Sequence, residues 1–219
     1  MSDPLKALHL CVMRAIAESL SDTTLVLKGG TALLLAYGLD RFSEDLDFDS
    51  PKKIALENRI KDALSGIATL EQFSLLKDTN TVTRARIVYK DQSGLTGRLK
   101  IEVSHRENAI PADEATHRSN IQVATIGRLI RQKLAAAVSG DNPRTAGRDL
   151  FDILFLCKHH SDSFSEADRN ALKQLICDPQ KTCDRYKPAF QVDALLADQS
   201  VDNIVLEIID AAETAWPDH

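Results

Sequence analysis

The chain is predicted to be an α+β protein, with a small mixed β-sheet core flanked by helices and followed by an α-helical C-terminal half. Two observations lead there. Up to about residue 120, short alternating or β-branched runs are interleaved with amphipathic stretches of helical period. After the polar stretch Glu107 to Asn120 the pattern changes, and no convincing strand follows Val123. The boundary is therefore placed near residue 120, giving a core over residues 1–120 and a helical domain over residues 121–219.

In chain order, Pro4 to Leu20 reads as an amphipathic helix, with Leu5, Leu8, Val12, Ile16 and Leu20 on one stripe and Pro4 suited to a first turn. Thr23 to Lys28 reads as a buried strand, Thr31 to Tyr37 as a helix stopped near Gly38, and Asp45 to Phe48 as a second strand. A helix over Lys52 to Leu64 precedes three strands, Gln72 to Leu76, Thr83 to Tyr89 and Arg98 to Val103. The last two are joined by the turn-rich Asp91-Gln92-Ser93-Gly94. Helices are expected over Thr125 to Val138, with Thr125 as cap, Leu150 to Cys157, Asp168 to Ile176, a weaker segment around Ala189 to Leu196, and Val201 to Ala215.

Composition narrows the class. With 219 residues, 43% apolar and 27% charged, the chain can bury one substantial core, and it shows no disorder signature. No apolar run approaches a membrane span, and Met1-Ser2-Asp3-Pro4 lacks the basic start and apolar core of a signal peptide, so a cytoplasmic protein without membrane attachment is expected. Cys11, Cys157, Cys177 and Cys183 are too unevenly spaced for a disulfide framework or zinc site and are expected to be reduced packing residues. The adjacent His159 and His160 lack metal-ligand spacing and are expected at a helix end. Any metal chemistry should therefore be carboxylate chemistry.

The chemistry concentrates in two neighbouring motifs. Leu27-Lys28-Gly29-Gly30-Thr31-Ala32-Leu33 is a Gly-Gly turn opening a helix, where glycine permits close backbone approach and the helix N-terminus offers unpaired N–H groups to a phosphate. It is followed by Ser43-Glu44-Asp45-Leu46-Asp47-Phe48-Asp49. On a strand, Asp45 and Asp47 at i and i+2 project from one face while Leu46 and Phe48 pack into the core. Two carboxylates completed by substrate phosphates is how Mg²⁺ is commonly held, so the pair of motifs suits metal-dependent nucleotidyl transfer. Read alone, the acidic run would be a solvated loop. A third carboxylate is expected from such chemistry, and Glu102, on the polar face of Arg98 to Val103, is the candidate.

The net charge of −5 argues against nonspecific polyanion binding over the whole surface, but basic residues cluster from Arg128 to Arg148. Arg128, Arg131, Lys133, Arg144 and Arg148 stand there against the single acid Asp141, as a patch for triphosphate or RNA or as a solvated helix face. Lys133 could neutralise phosphate charge, with Asp149 or Asp152 orienting it. Alternatively, Lys133 is exposed, and Arg148 and Asp152 form a surface pair of little energetic weight.

Lys28-Gly29-Gly30-Thr31-Ala32-Leu33, Arg41-Phe42-Ser43-Glu44-Asp45-Leu46-Asp47-Phe48, Lys100-Ile101-Glu102-Val103, Lys133-Leu134 and Arg148-Asp149-Leu150-Phe151-Asp152 together resemble the AbiEii/AbiGii-type toxin family, which includes the MenT-like nucleotidyltransferase toxins. That family lies in the DNA polymerase β-like nucleotidyltransferase superfamily. The likeness covers roughly residues 25 to 156, and no motif follows it.

The resemblance implies a nucleotide site of Lys28, Gly29, Gly30, Thr31, Arg41, Ser43, Lys133 and Arg148, and a catalytic set of Asp45, Asp47, Glu102, Lys133 and Asp149. Asp45, Asp47 and Glu102 would bind Mg²⁺, with a nucleoside triphosphate as donor substrate. Glu102 departs from the Asp usual at the third position. The resemblance further implies a toxin of a bacterial toxin–antitoxin system, with a cognate antitoxin, that transfers a nucleotide to the 3′ end of tRNA and blocks translation. The alternatives are a protein or small-molecule hydroxyl as acceptor, and a non-catalytic nucleotide-binding partner protein.

Overall fold

The computed structural model describes residues 3–139 and 143–217. Compactness divides the chain into two units, residues 1–125 and 126–219. Asp141, counted above among the charges of the basic segment, lies outside the described residues.

The first unit is built on a seven-stranded mixed sheet. Its strands are β1 (Val26–Lys28), β2 (Asp45–Asp49), β3 (Thr69–Asp78), β4 (Val82–Lys90), β5 (Thr96–Ser104), β6 (Ala115–Arg118) and β7 (Ile121–Ala124), ordered β3-β4-β5-β2-β1-β7-β6. The β2/β5 and β1/β7 pairs are parallel and the others antiparallel. One face is apolar: Leu27, Leu46, Phe48, Ala85, Ile87, Tyr89, Leu99, Ile101, Val103 and Val123 are all buried. Helix α1 (Asp3–Ser19) supplies Val12, Met13 and Ile16 to this core. It is also tied to the sheet by buried His9, whose Nε2 lies 3.0 Å from the Glu44 carbonyl and whose Nδ1 meets the Tyr89 hydroxyl. A carbonyl can only accept, so Nε2 carries the proton and Nδ1 accepts from Tyr89.

Helix α2 (Gly29–Tyr37) ends on Gly38 in the left-handed region, φ 80°, with the Gly38 N–H on the Leu33 carbonyl. Helix α3 (Glu57–Ala63) is shorter than the expected Lys52 to Leu64. The Ser50 hydroxyl bonds the Lys52 carbonyl at 2.7 Å, and Pro51 follows Ser50, so the chain turns where the periodicity alone suggested helix.

Strands β6 and β7 form a hairpin absent from the sequence reading. Its two-residue turn, Ser119 and Asn120, has φ of 49° and 62°, the pairing of a type I′ turn without its usual glycine. Four-residue strands, one of them mostly polar, give too short an alternation to detect.

The second unit is helical: α4 (Ile126–Val138), α5 (Gly147–His160), α6 (Glu166–Ile176), α7 (Pro179–Val192) and α8 (Val201–Ala215). Ser165 and Asp168 form a capping box at the start of α6, and Asp178 caps α7 ahead of Pro179. Helix α7 replaces the weak segment expected from Ala189, because Pro188 within it breaks the sequence signal without ending the helix. Gly147 opens α5 where a Cβ would stand 2.8 Å from Leu196 and 2.9 Å from Phe190, so only glycine fits. His159 and His160 close α5 and lie against the Phe155 ring. Cys157 and Cys183 are buried, whereas Cys11 and Cys177 are exposed, so only the first two are packing residues. Among the described residues no helix is long and apolar enough to cross a membrane.

Candidate active site

The sheet register assembles most of the expected site in the first unit. In the parallel β2/β5 pair, Asp45 stands opposite Lys100 and Asp47 opposite Glu102. On the other side of β2, Lys28 stands opposite Asp47. Register partners share a face, so Lys28, Asp47, Glu102 and Arg84, which pairs with Glu102 from β4, form one row across four strands. Leu46 and Phe48 point the other way into the core, as the i, i+2 spacing of the aspartates requires.

The glycines face this row. Gly29 has φ +73°, and a Cβ on it would stand 3.3 Å from Asp47 Oδ2. A Cβ on Gly30 would fall 2.5 Å from Arg41 Nη2 and 3.4 Å from Ser43 Oγ. The first turn of α2, the Arg41 guanidinium and the acidic strand are thus in mutual contact. Thr31 is buried, with its hydroxyl 2.7 Å from Ser43 Oγ and also against the Asp45 carbonyl. Its side chain fastens α2 to the start of β2, and any hold it has on a triphosphate would come from its backbone N–H.

The electrostatics of the row follow from its crowding. Burial, then the neighbouring Asp45 charge, with Glu102 adding to both, push the Asp47 carboxyl above the usual carboxylate range; Lys100 and Lys28 oppose the rise. Asp45 Oδ2 is paired with Lys100 Nζ at 2.7 Å, and Glu102 Oε2 with Arg84 Nη2 at 2.7 Å. Lys28 pairs with Asp49. Lys100, Arg84 and Asp49 were not singled out in the sequence. The strand alternations Arg84-x-Arg86 and Lys100-x-Glu102 were the available signal, but their meaning depends on which strands become neighbours.

Among the described residues no three carboxylate, imidazole or thiol groups close around a common point as a ready metal cage. Asp45 and Asp47 remain adjacent on one face with a raised carboxyl between them, a donor set of the size Mg²⁺ uses when substrate phosphates supply its other ligands. Glu102 is drawn instead to Arg84.

Lys133, Arg148 and Asp149 belong to the second unit. Lys133 is largely shielded, its side chain 11% exposed, with Nζ 2.6 Å from Asp149 Oδ1 and 2.6 Å from Asp152 Oδ2. Burial would push its ammonium down, but Asp152 and Asp149 more than offset this and hold it above its ordinary value. The exposed-lysine alternative is thereby excluded, and Asp152, whose side chain is fully buried, is not a surface residue. Arg148 Nε instead pairs with Asp193 at 2.7 Å. Arg128 is buried, whereas Arg131 and Arg144 are exposed, Arg144 with its Nε 3.2 Å from Asp149 Oδ2, so only part of the segment from Arg128 to Arg148 is an open basic surface.

A glycine-opened helix set against paired carboxylates on a mixed sheet is the arrangement of a nucleotidyltransferase. The chain belongs to the AbiEii nucleotidyltransferase toxin family of type IV toxin–antitoxin systems, whose profile matches residues 11–214. Family membership implies a cognate antitoxin. Among solved structures, JHP933 from Helicobacter pylori is 38% identical, with a TM-score of 0.90, over 98% of this chain and 93% of that one. A second H. pylori structure, provisionally described as a nucleotidyltransferase, is 38% identical with a TM-score of 0.90, over 98% of this chain and 96% of that one. MenT4, a nucleotidyltransferase toxin from Mycobacterium tuberculosis, is 15% identical with a TM-score of 0.46 over 96% of this chain and 93% of that one, too distant to bear on the site. No curated protein matches significantly.

Proposed function

We propose that this toxin is a Mg²⁺-dependent enzyme that transfers a nucleotide from a nucleoside triphosphate to the 3′ end of tRNA and so blocks translation. The observation that carries the proposal is the row formed by Asp47 and Glu102, with Asp45 two residues before Asp47 on the same face and Gly29 against the Asp47 carboxylate.

In the reaction, the acceptor 3′-oxygen bonds to the α-phosphorus while the bond to the bridging oxygen of pyrophosphate breaks, and the hydroxyl proton leaves. Asp45 and Asp47 would hold Mg²⁺, which when bound neutralises charge on the attacking and leaving oxygens. The α2 N-terminus, opened by Gly29 and Gly30, binds triphosphate oxygens through backbone N–H groups, and Arg41 at its edge adds a guanidinium. The acceptor's hydroxyl proton passes to solvent water at the carboxylate row. Glu102 orients Arg84 and shares the negative field.

The test is incubation of the purified protein with total bacterial tRNA, Mg²⁺ and each α-labelled triphosphate in turn. Label entering tRNA with the intact protein and not with Asp45→Asn supports the proposal. Label that enters protein or small molecules instead, or no label with any triphosphate, rejects the tRNA acceptor.

A further inference from the structure

The carboxylate row continues outward into a basic face that the proposed chemistry does not use. On the face of the sheet opposite the apolar core, β4 places Arg84, Arg86, Val88 and Lys90, and β5 places Arg98, Lys100 and Glu102. The register sets Arg86 directly opposite Lys100, and Arg98 opposite Val88. Like charges facing each other across strands weaken a sheet. Here five cations, Arg84, Arg86, Lys90, Arg98 and Lys100, share two neighbouring strands. Two of them are neutralised by the site itself, Lys100 by Asp45 and Arg84 by Glu102. Arg86 and Arg98 are exposed, and among the described residues neither has a carboxylate partner.

These two arginines flank a shallow depression of about 250 Å³ lined also by Gln72, Ser74, Leu76 and Val88. Leu76, on the edge strand β3, is unusually exposed for a leucine, at 47%. The depression therefore combines an apolar floor of Leu76 and Val88, neutral hydrogen-bonding groups from Gln72 and Ser74, and two unneutralised guanidinium groups. Phosphate, ribose and base edge each find a matching chemistry there. From Arg98 to Glu102 along β5 is roughly 13 Å at the usual strand rise, a span that a short stretch of nucleic-acid strand covers.

We infer that the open face of β3, β4 and β5 is the track on which the acceptor RNA lies, with Arg86 and Arg98 holding backbone phosphates a few nucleotides upstream of the 3′-hydroxyl delivered to Asp45 and Asp47. This rests on the proposed RNA acceptor and gives it a surface. Within the segment from Arg128 to Arg148, by contrast, Arg128 is buried and Lys133, Arg144 and Arg148 are each paired with an aspartate of their own unit.

The experiment is fluorescence titration of 5′-labelled total bacterial tRNA with the full-length protein, across a series of KCl concentrations. The proteins compared are the wild type, Arg86→Gln/Arg98→Gln, Arg86→Lys/Arg98→Lys, Asp45→Asn, and Arg59→Gln, which removes a charge elsewhere, on α3. Thermal melts check that each variant is folded, and triphosphate affinity is measured alongside.

The glutamine pair is expected to bind tRNA about 10- to 100-fold more weakly, with the slope of log affinity against log salt reduced by about 1.4, two single-strand phosphate contacts' worth. The lysine pair should recover most of the affinity, Arg59→Gln should retain it, and Asp45→Asn, which frees Lys100 on the same face, should bind at least as tightly as the wild type. Unchanged tRNA affinity and slope in a folded glutamine pair overturn the inference, as does a selective loss of triphosphate affinity. If the glutamine pair loses tRNA binding while the wild type transfers no nucleotide, the surface stands and the proposed reaction fails. If nucleotide transfer to tRNA occurs but the glutamine pair binds tRNA normally, the reaction stands and the surface fails.

Discussion

Asp47 and Glu102, far apart in sequence, stand directly opposite one another on the adjacent parallel strands β2 and β5. Burial first, then the Asp45 charge, with a smaller contribution from Glu102, hold the Asp47 carboxyl above the usual range.

The first prediction concerns this strain. Because the folded state raises the Asp47 pKa, the unfolded chain ionises first, and the fold loses stability as pH rises through the carboxylate range. Asp47→Asn should therefore melt higher than the wild type near neutral pH, and the difference should vanish at a pH low enough to protonate the carboxyl in both states. Transfer activity should be lost. Added Mg²⁺ should raise the wild-type Tm and not the variant's. Differential scanning calorimetry at several pH values, with and without Mg²⁺, decides it; a lower Tm for the variant at neutral pH contradicts the idea.

The two glycines should respond differently. Gly29→Ala places a side chain at φ +73° and against Asp47, and should cost about 1–2 kcal/mol in stability as well as activity. Gly30→Ala meets the far end of the long Arg41 side chain, which can swing aside, and Ser43 Oγ only at contact distance. It should leave the Tm nearly unchanged and raise KM for the triphosphate. Denaturant titration beside steady-state kinetics separates the two effects.

In the second unit, Lys133 neutralises two buried aspartates. Lys133→Met removes the cation that both aspartates share and should cost about 3–5 kcal/mol. Adding Asp152→Asn to it should recover part of that loss, a coupling visible in a double-mutant cycle measured by urea unfolding. Simple additivity would mean that the two side chains do not interact.

His9 gives the fold a pH dependence near neutrality. Burial depresses its pKa, against opposition from the Glu44 carbonyl and the charges of Glu44 and Asp45. A depressed base contributes stability above its unfolded pKa of about 6.5, lost as pH falls through the lower folded value. The wild type should thus lose stability on mild acidification, while His9→Gln should lack that segment of the pH profile. Because His9 anchors the residue just before Asp45, the variant should also show reduced kcat.

Much of this architecture is legible along the chain because its causes are local. The alternation of Asp45, Leu46, Asp47 and Phe48 sorts charge from core whatever the neighbours are, and Gly-Gly before an apolar run announces a turn and a helix start. The expected strands at β1, β2, β4 and β5 follow from the same period-two patterning. The β6/β7 hairpin escaped because its strands are short and its turn lacks glycine, and α7 because a proline interrupts its pattern without breaking it.

By itself, then, the order of residues determined which carboxylates share a face and where the backbone could approach a phosphate, since both depend on spacing within one segment. Only the tertiary structure decided which charges meet. Arg84 reaches Glu102, Lys100 reaches Asp45, and Lys133 is held between Asp149 and Asp152, all through register and packing between distant segments. The same packing buried Arg128 within the basic segment and assembled a different basic face from two strands where no charge run existed. Coulomb interactions depend on distance and burial in three dimensions, and neither quantity is written in one-dimensional spacing.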